Sequence, residues 1–175
     1  MTNDVRRDII QLLPRLRRFS YALAGDPVKG DDLLQEACAR AFASLHQFEP
    51  GTRLDSWMYR IIRNIWLNHK RASRVRGTVI DIDEAPEQQG EDGRDVAESR
   101  MTLVRVLDAM VKLPREQQEL IALVCIEGVS YQEAARILDI PVGTVTSRLA
   151  RGRRTLYAIA VEGQRTLEGE YDKVD

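Results

Sequence analysis

The chain has 175 residues, 43% hydrophobic and 30% charged, with 26 Lys and Arg against 27 Asp and Glu. No apolar run reaches membrane-spanning length and no N-terminal segment has signal-peptide character, so a soluble, cytoplasmic protein without membrane insertion is expected. The formal net charge of −1 does not exclude a nucleic-acid partner, because Thr78 to Ser99 concentrates Asp81, Asp83, Glu84, Glu87, Glu91, Asp92, Asp95 and Glu98 against Arg94 alone and leaves the remainder basic.

In chain order, Asp4 to Leu13 and Pro14 to Ala24 read as helical, with Pro14 opening a new turn, where its missing amide is tolerated. Ile9, Leu12, Leu13, Leu16, Phe19 and Leu23 mark the inward side. Gly25-Asp26-Pro27 ends this helix. Asp31 then stands as the expected N-cap of a helix striped by Leu34, Cys38, Ala41, Phe42 and Leu45, which leaves Asp32, Gln35, Glu36 and Arg40 outside. Taken alone, an acidic first turn does no more than complement the helix dipole.

Glu49-Pro50-Gly51 is a turn, and Asp55-Ser56 begins the next helix. Trp57, Ile61, Ile62, Ile65 and His69 form the face expected to close a first core; Arg60, Arg63, Asn64 and Arg71 form the other. A basic helix face beside aromatic rings can follow a phosphate backbone while rings and an amide hold unstacked bases. Trp57 and Trp66 are read as core residues, since large rings are mostly buried. Phe48, off the stripe and next to the turn, is the ring placed to meet a base.

From Ala72 the pattern changes. Thr78 to Ser99 has too few apolar residues to offset the entropy of ordering, so a domain boundary is expected there. Helical period returns with Met101, Val104, Leu107 and Met110, breaks at Leu113-Pro114, and resumes with Leu120, Ile121, Leu123, Val124 and Ile126, enough for a second core. Cys38 and Cys125 each fall inside an apolar pattern without a second ligand nearby and are read as buried, reduced thiols. His46 and His69 stand apart from any carboxylate or cysteine cluster. Neither a metal site, a cofactor nor a catalytic constellation is indicated, so no enzyme is expected.

The stretch Val129 to Tyr157 predicts a working surface. Ser130 and Glu133 have capping-box spacing for a short helix with Ala134, Ala135, Ile137 and Leu138 on its apolar side. Asp139-Ile140-Pro141 stops that helix. In the helix that follows, Val142, Val145, Leu149 and Leu156 share one arc, and Ser147, Arg151 and Arg154, flanked by Thr144 and Arg148, share the opposite one. Two short helices with hydroxyls and guanidiniums facing outward on the second form a helix-turn-helix, whose second helix enters the DNA major groove. A merely solvated charged face would more commonly carry acidic partners one turn away, and Arg148, Arg151, Arg153 and Arg154 have no acidic i±4 partner.

The succession DDLLQEACARAF, FEPGTRLDSWMYRIIRN, an acidic linker, and LPREQQELIALVCIEGVSYQEAARILDIPVGTVTSRLARGRRTL resembles the extracytoplasmic-function group of bacterial sigma factors over nearly the whole chain outside linker and tail. The resemblance implies an all-α fold of two small helical domains joined by a flexible acidic linker: an N-terminal domain over 1–73, the linker over 74–99, a helix-turn-helix domain over 100–161 and a frayed tail over 162–175. It implies core RNA polymerase, promoter DNA and an anti-sigma factor as partners, with no small-molecule substrate. Asp32, Leu33, Gln35 and Glu36 would dock on polymerase. Phe48, Arg60, Arg63, Asn64 and Arg71 would take the opening minus-ten element, and Thr144, Thr146, Ser147, Arg148, Arg151 and Arg154 the duplex minus-thirty-five element. Many members carry arginine or lysine where Thr146 stands, and a larger side chain where Ala150 stands. The competing readings are a stand-alone helix-turn-helix regulator, which would need an effector or dimerisation domain, and a helical protein-binding adaptor.

Overall fold

The computed structural model describes the backbone of residues 2–75 and 94–171. Among these residues all regular structure is helical: α1 (Thr2–Ala24), α2 (Pro27–Ala43), α3 (Leu54–Val75), α4 (Arg94–Val111), α5 (Arg115–Leu120), α6 (Tyr131–Leu138) and α7 (Val142–Tyr171). A 3-10 turn over Leu45–Gln47 follows α2, and α5 runs on into a π-helical segment, Ile121–Ile126. Most of the expected acidic linker, residues 76–93, lies outside the described residues. The α7 backbone continues past residue 161 to Tyr171.

Helices α1, α2 and α3 make the first unit. Pro14 does not divide α1, which is one continuous helix with the proline inside it. Ile9, Leu16, Phe19 and Leu23 are fully buried as their spacing predicts, and they meet Leu33, Leu34, Ala37 and Ala41 of α2 and Met58, Tyr59, Ile62, Ile65 and Trp66 of α3. Phe19 and Tyr59 stack edge to face with centroids 4.8 Å apart, a geometry that suits the ring quadrupoles.

Three local expectations are corrected here. The N-cap of α2 is Asp26, whose carboxylate accepts the Lys29 amide at 2.8 Å, with Pro27 as the first helical residue. Proline at that position starts the helix earlier than Asp31, leaving Asp31 to accept from Arg17 and Tyr21 of α1. Phe42 is exposed rather than striped inward, because small Ala37 and Ala41 line the contact and let α2 lie close. His69 is also exposed, with Nε2 2.9 Å from the Glu36 carboxylate; the inward arc of α3 turns through Met58, Tyr59 and Trp66 instead.

The second unit is α4 to α7. Leu107 and Met110 of α4 are buried, whereas Val104 is exposed. Leu120, Ile121 and Leu123 pack against α6 and α7, where Ala134, Ile137, Leu138, Val145 and Leu149 complete the apolar cluster. Cys125 sits on the outer side of the π-helical segment and is exposed, its sulfur 3.7 Å from Arg153 Nη2. The wider π turn rotates Cys125 out of the stripe that an α-helical period assigns it to. Cys38 is half-buried, and burial pushes its thiol pKa up.

Across the seam between the units, α1 packs on α4 and the π-helical segment, and α3 packs on α6. At Gly25 (φ +77°) an added Cβ would lie 2.0 Å from Val111 Cγ1, so only glycine admits this approach of α4 to the end of α1. Gln118, 1% exposed, donates to the Ala22 and Leu23 carbonyls at 2.8 and 3.2 Å. These carbonyls belong to the last turn of α1, which has no partners of its own for them. Glu127 is the largest polar junction. Its side chain is wholly buried and accepts from Arg18 Nε at 3.1 Å, Arg15 Nε at 3.4 Å and the Tyr59 hydroxyl at 3.1 Å. Burial, then the Glu127 charge, pushes the Tyr59 pKa upward and keeps its proton in place as a donor.

Candidate nucleic-acid interface

The helix-turn-helix is set by its turn. Ser130 Oγ accepts the Glu133 amide at 3.2 Å, which starts α6, and Asp139 ends it in the left-handed conformation at φ 54°. Asp139 suits that role because its short polar side chain tolerates the region. The Glu133 carboxylate does not close the capping box. It accepts from Ser56 Oγ across the seam and from Arg136 Nη1 at 2.8 Å.

Helix α7 follows immediately. Val145 and Leu149 are buried and Leu156 is half-buried, whereas Val142, at the first turn, is 43% exposed. The opposite side presents Thr146, Ser147, Arg151 and Arg154 to solvent, with Thr144 half-buried beside them. Thr146 donates to the Val142 carbonyl at 3.1 Å and Ser147 to that of Thr144 at 3.1 Å. Among the described residues Arg151 Nε reaches only the Ser147 carbonyl, at 3.3 Å. Arg148 differs, since Nη2 lies 3.1 Å from Glu116 of α5. Among the described residues the arginine row therefore has one acidic partner, supplied by another helix.

The α3 face is more heavily engaged. Asn64 and Arg71 are exposed. They line an open polar cleft of about 580 Å³ with Arg63, Arg40, Asn68 and Arg115. Arg63, its side chain 21% exposed, pairs with Glu119 Oε2 at 3.1 Å, and Arg60 Nη2 donates to the Arg136 carbonyl at 2.7 Å. Phe48 is half-buried against Trp57, with centroids 5.4 Å apart. Among the minus-ten candidates, then, Asn64, Arg71 and Arg63 share a cleft, Phe48 stands at the turn before α3, and both Arg60 and Arg63 are held by the second unit.

On α2, Asp32 and Gln35 are exposed and Glu36 is partly exposed, tied to Arg40 at 3.1 Å. Leu33 is 3% exposed and belongs to the core, so its side chain supports the acidic surface from beneath instead of forming part of it.

Sequence reasoning passes over the seam residues Gln118, Glu119 and Glu127. Their signal was an acid or amide at positions that helical period assigns to the interior. Glu119 shows what such burial costs. Only its Oε2 is bonded, Oε1 lies 3.9 Å from Arg115, and desolvation raises its pKa despite the Arg63 charge. Asp55 is the opposite case. Burial opposes its ionisation, but bonds from Arg53 at 2.7 and 3.1 Å and from the Ser56 amide outweigh it and hold the pKa below the usual value.

Residues 9–76 match the sequence model of sigma-70 region 2 and residues 103–156 that of sigma-70 region 4. The chain is 34% identical over 159 residues to the ECF RNA polymerase sigma factor EcfG of Rhodopseudomonas palustris (strain TIE-1), spanning 91% of this chain and 86% of that protein. It is 31% identical over 148 residues to the ECF RNA polymerase sigma-E factor of Escherichia coli (strain K12), spanning 78% and 74%. The fold is similar to that of the sigma factor RpoE solved in complex with the anti-sigma factor NepR from Bartonella quintana, at a TM-score of 0.71 and 28% identity over 90% of this chain and 96% of that one. With both regions present in order and a relative of this closeness matched over most of its length, the chain belongs to the ECF RNA polymerase sigma factors.

Proposed function

We propose that this chain works as an initiation subunit of the cytoplasm, loading core RNA polymerase onto particular promoters without itself making or breaking bonds, under the control of an anti-sigma factor. The unit over 1–73 docks on polymerase through the acidic end of α2, Asp32, Gln35 and Glu36. It receives the opened minus-ten strand through Phe48, Arg60, Arg63, Asn64 and Arg71. The unit over 100–161 lays α7 into the duplex minus-thirty-five element, and the stretch over 74–99 tethers the two.

The observation that carries this reading is the division of α7. Thr146, Ser147, Arg151 and Arg154 stand exposed on one side while Val145 and Leu149 are buried on the other. A helix anchored along one side and lined outward with hydroxyls and guanidiniums suits a groove whose walls are phosphates and whose floor carries base edges. Phosphate contacts by the arginines fix register, and a few side chains on base edges supply preference. Melting is near balance, because stacking a captured base contributes about 1–3 kcal/mol, comparable with the cost of unstacking it. Polymerase therefore has to hold both units at the correct separation, and the isolated chain binds promoters weakly.

The test is run-off transcription with core polymerase on a library of promoter fragments. Promoter-dependent transcripts that vanish when the chain is withheld support the reading. Arg151→Glu should lower promoter selection and leave polymerase association intact. Loss of both would show that the roles of the two units are misassigned.

A further inference from the structure

We infer that the cleft between α2, α3 and α5 is a binding site for a small molecule carrying two or more linked phosphates, gripped by four guanidiniums, of which Arg40 and Arg115 have no place in the minus-ten reading.

Helix α3 supplies one wall. Asn64, Leu67, Asn68 and Arg71 recur at i, i+3, i+4 and i+7 and so share a face. Arg63 stands beside them, and α2 and α5 each add one arginine, Arg40 and Arg115. Among the described residues Arg63 is bonded through Nε, to Glu119 at 3.1 Å, and Arg40 through Nη2, to Glu36 at 3.1 Å. A guanidinium has five donors in a planar fork, so both keep others for phosphate oxygens. Arg115 Nε lies 3.9 Å from Glu119, beyond hydrogen-bond reach, and among the described residues Arg71 has no carboxylate partner. The cleft therefore holds more positive charge than its own acids neutralise.

Its shape selects the ligand. At about 580 Å³ it has the volume of a small-molecule site. Leu67 is the one apolar side chain of its lining, so an apolar ligand finds little to contact. A lone phosphate engages one or two guanidinium forks, whereas linked phosphates bring enough oxygens and charge for all four. A nucleic-acid strand strings its charges along its length and suits a row of cations; here they converge from three helices. Asn64 and Asn68 add carboxamides that both donate and accept, which suits the hydroxyls or base edge of an attached nucleoside.

The experiment is isothermal titration calorimetry on the full-length chain, in magnesium-free buffer with a chelator. The probes are orthophosphate, inorganic pyrophosphate, adenosine triphosphate and guanosine triphosphate. Pyrophosphate should bind at one site per chain and about tenfold or more tighter than orthophosphate, as expected for even one extra charge-assisted bond. Arg40→Gln and Arg115→Gln, both at half-exposed side chains, should each weaken pyrophosphate about tenfold. Arg105→Gln, exposed on α4, removes the same charge elsewhere and should leave binding within about twofold of wild type. Circular dichroism checks that the variants keep their helix content. Tighter binding of either triphosphate than of pyrophosphate supports the site and assigns a nucleoside to it; equal binding supports it and assigns the phosphates alone. Pyrophosphate that binds no tighter than orthophosphate, or that Arg105→Gln weakens as much as Arg40→Gln does, overturns the site. If pyrophosphate fails while Arg40→Gln and Arg115→Gln weaken labelled oligothymidylate in fluorescence anisotropy, the cleft is an extension of the strand path: the polyphosphate site is overturned and the minus-ten reading stands.

Discussion

The Tyr59 hydroxyl donates to Glu127 Oε2 at 3.1 Å, joining a fully buried ring of the first unit to a wholly buried carboxylate of the second. Arg15 and Arg18, the other donors to that carboxylate, keep side-chain exposures of 35% and 53% and can return to water. Tyr59 cannot. Tyr59→Phe keeps the ring packed on Phe19 and deletes only the donor, so a loss of about 1.5–3 kcal/mol in urea unfolding is expected, the range for a hydrogen bond to a charged group. Tyr59→Leu should cost more, since it also removes the edge-to-face contact. Equal losses would show that the edge-to-face contact adds nothing beyond the hydroxyl, and a Tyr59→Phe variant as stable as wild type would show that the hydroxyl contributes nothing.

The acid response of the fold should divide between Asp55 and Glu119. The folded pKa of Asp55 lies below its reference of 3.8, so its contribution is present above that value and lost as pH falls through the lower folded value. Asp55→Asn should therefore destabilise most near neutrality and converge with wild type at strongly acid pH. The folded pKa of Glu119 lies above its reference of 4.5, so the folded state binds that proton more tightly, and the contribution is full below 4.5 and lost as pH rises. The deficit of wild type relative to Glu119→Gln should then shrink as the medium is acidified toward that pH. Urea midpoints for the three proteins across pH 3–7 check both signs, and parallel curves would refute them.

Two glycines separate backbone strain from packing. Gly25 and Gly51 both have positive φ, at 77° and 90°, but a Cβ on Gly51 meets nothing within 4 Å, whereas one on Gly25 runs into Val111. Gly51→Ala should cost about 1–2 kcal/mol from the left-handed conformation alone. Gly25→Ala should cost more, by whatever the approach of α4 to α1 is worth. Double-variant cycles with Val111→Ala, read by thermal unfolding, should recover most of the excess at Gly25 and none at Gly51.

Much of this was legible in the residues. The caps and breaks around Ser130, Asp139 and Pro141 fix the helix-turn-helix, because those types act on their own backbone within a few residues. The burial of Val145 and Leu149 follows from period alone. What escaped depends on contacts distant in sequence. Pro27 displaced Asp31 as the start of α2, the π turn moved Cys125 outward, and Glu133 left its capping box for Ser56, which lies in the other unit. A helical wheel sets Glu119 and Glu127 on the inward side but does not name what meets them there; that becomes clear only once Arg63 and Tyr59 are placed beside them.

On α7, Arg148 and Arg154 should respond differently to the same change. Arg154 is exposed, whereas Arg148 is already paired to Glu116 at 3.1 Å and has to leave that partner to meet a phosphate. Each phosphate contact contributes about −0.9 to the slope of log affinity against log salt. Arg154→Ala should flatten the slope for duplex binding by about one and weaken all sequences alike, the mark of a backbone contact. Arg148→Ala should have a smaller effect at low salt, because the Glu116 pair already competes for its charge. Glu116→Gln should strengthen duplex binding by freeing Arg148, and the gain should disappear in the Glu116→Gln/Arg148→Ala double variant. Salt titrations of anisotropy on the four proteins decide it: a gain from Glu116→Gln that survives loss of Arg148 would mean that Glu116 repels the DNA directly and that its bond to Arg148 has no part in binding.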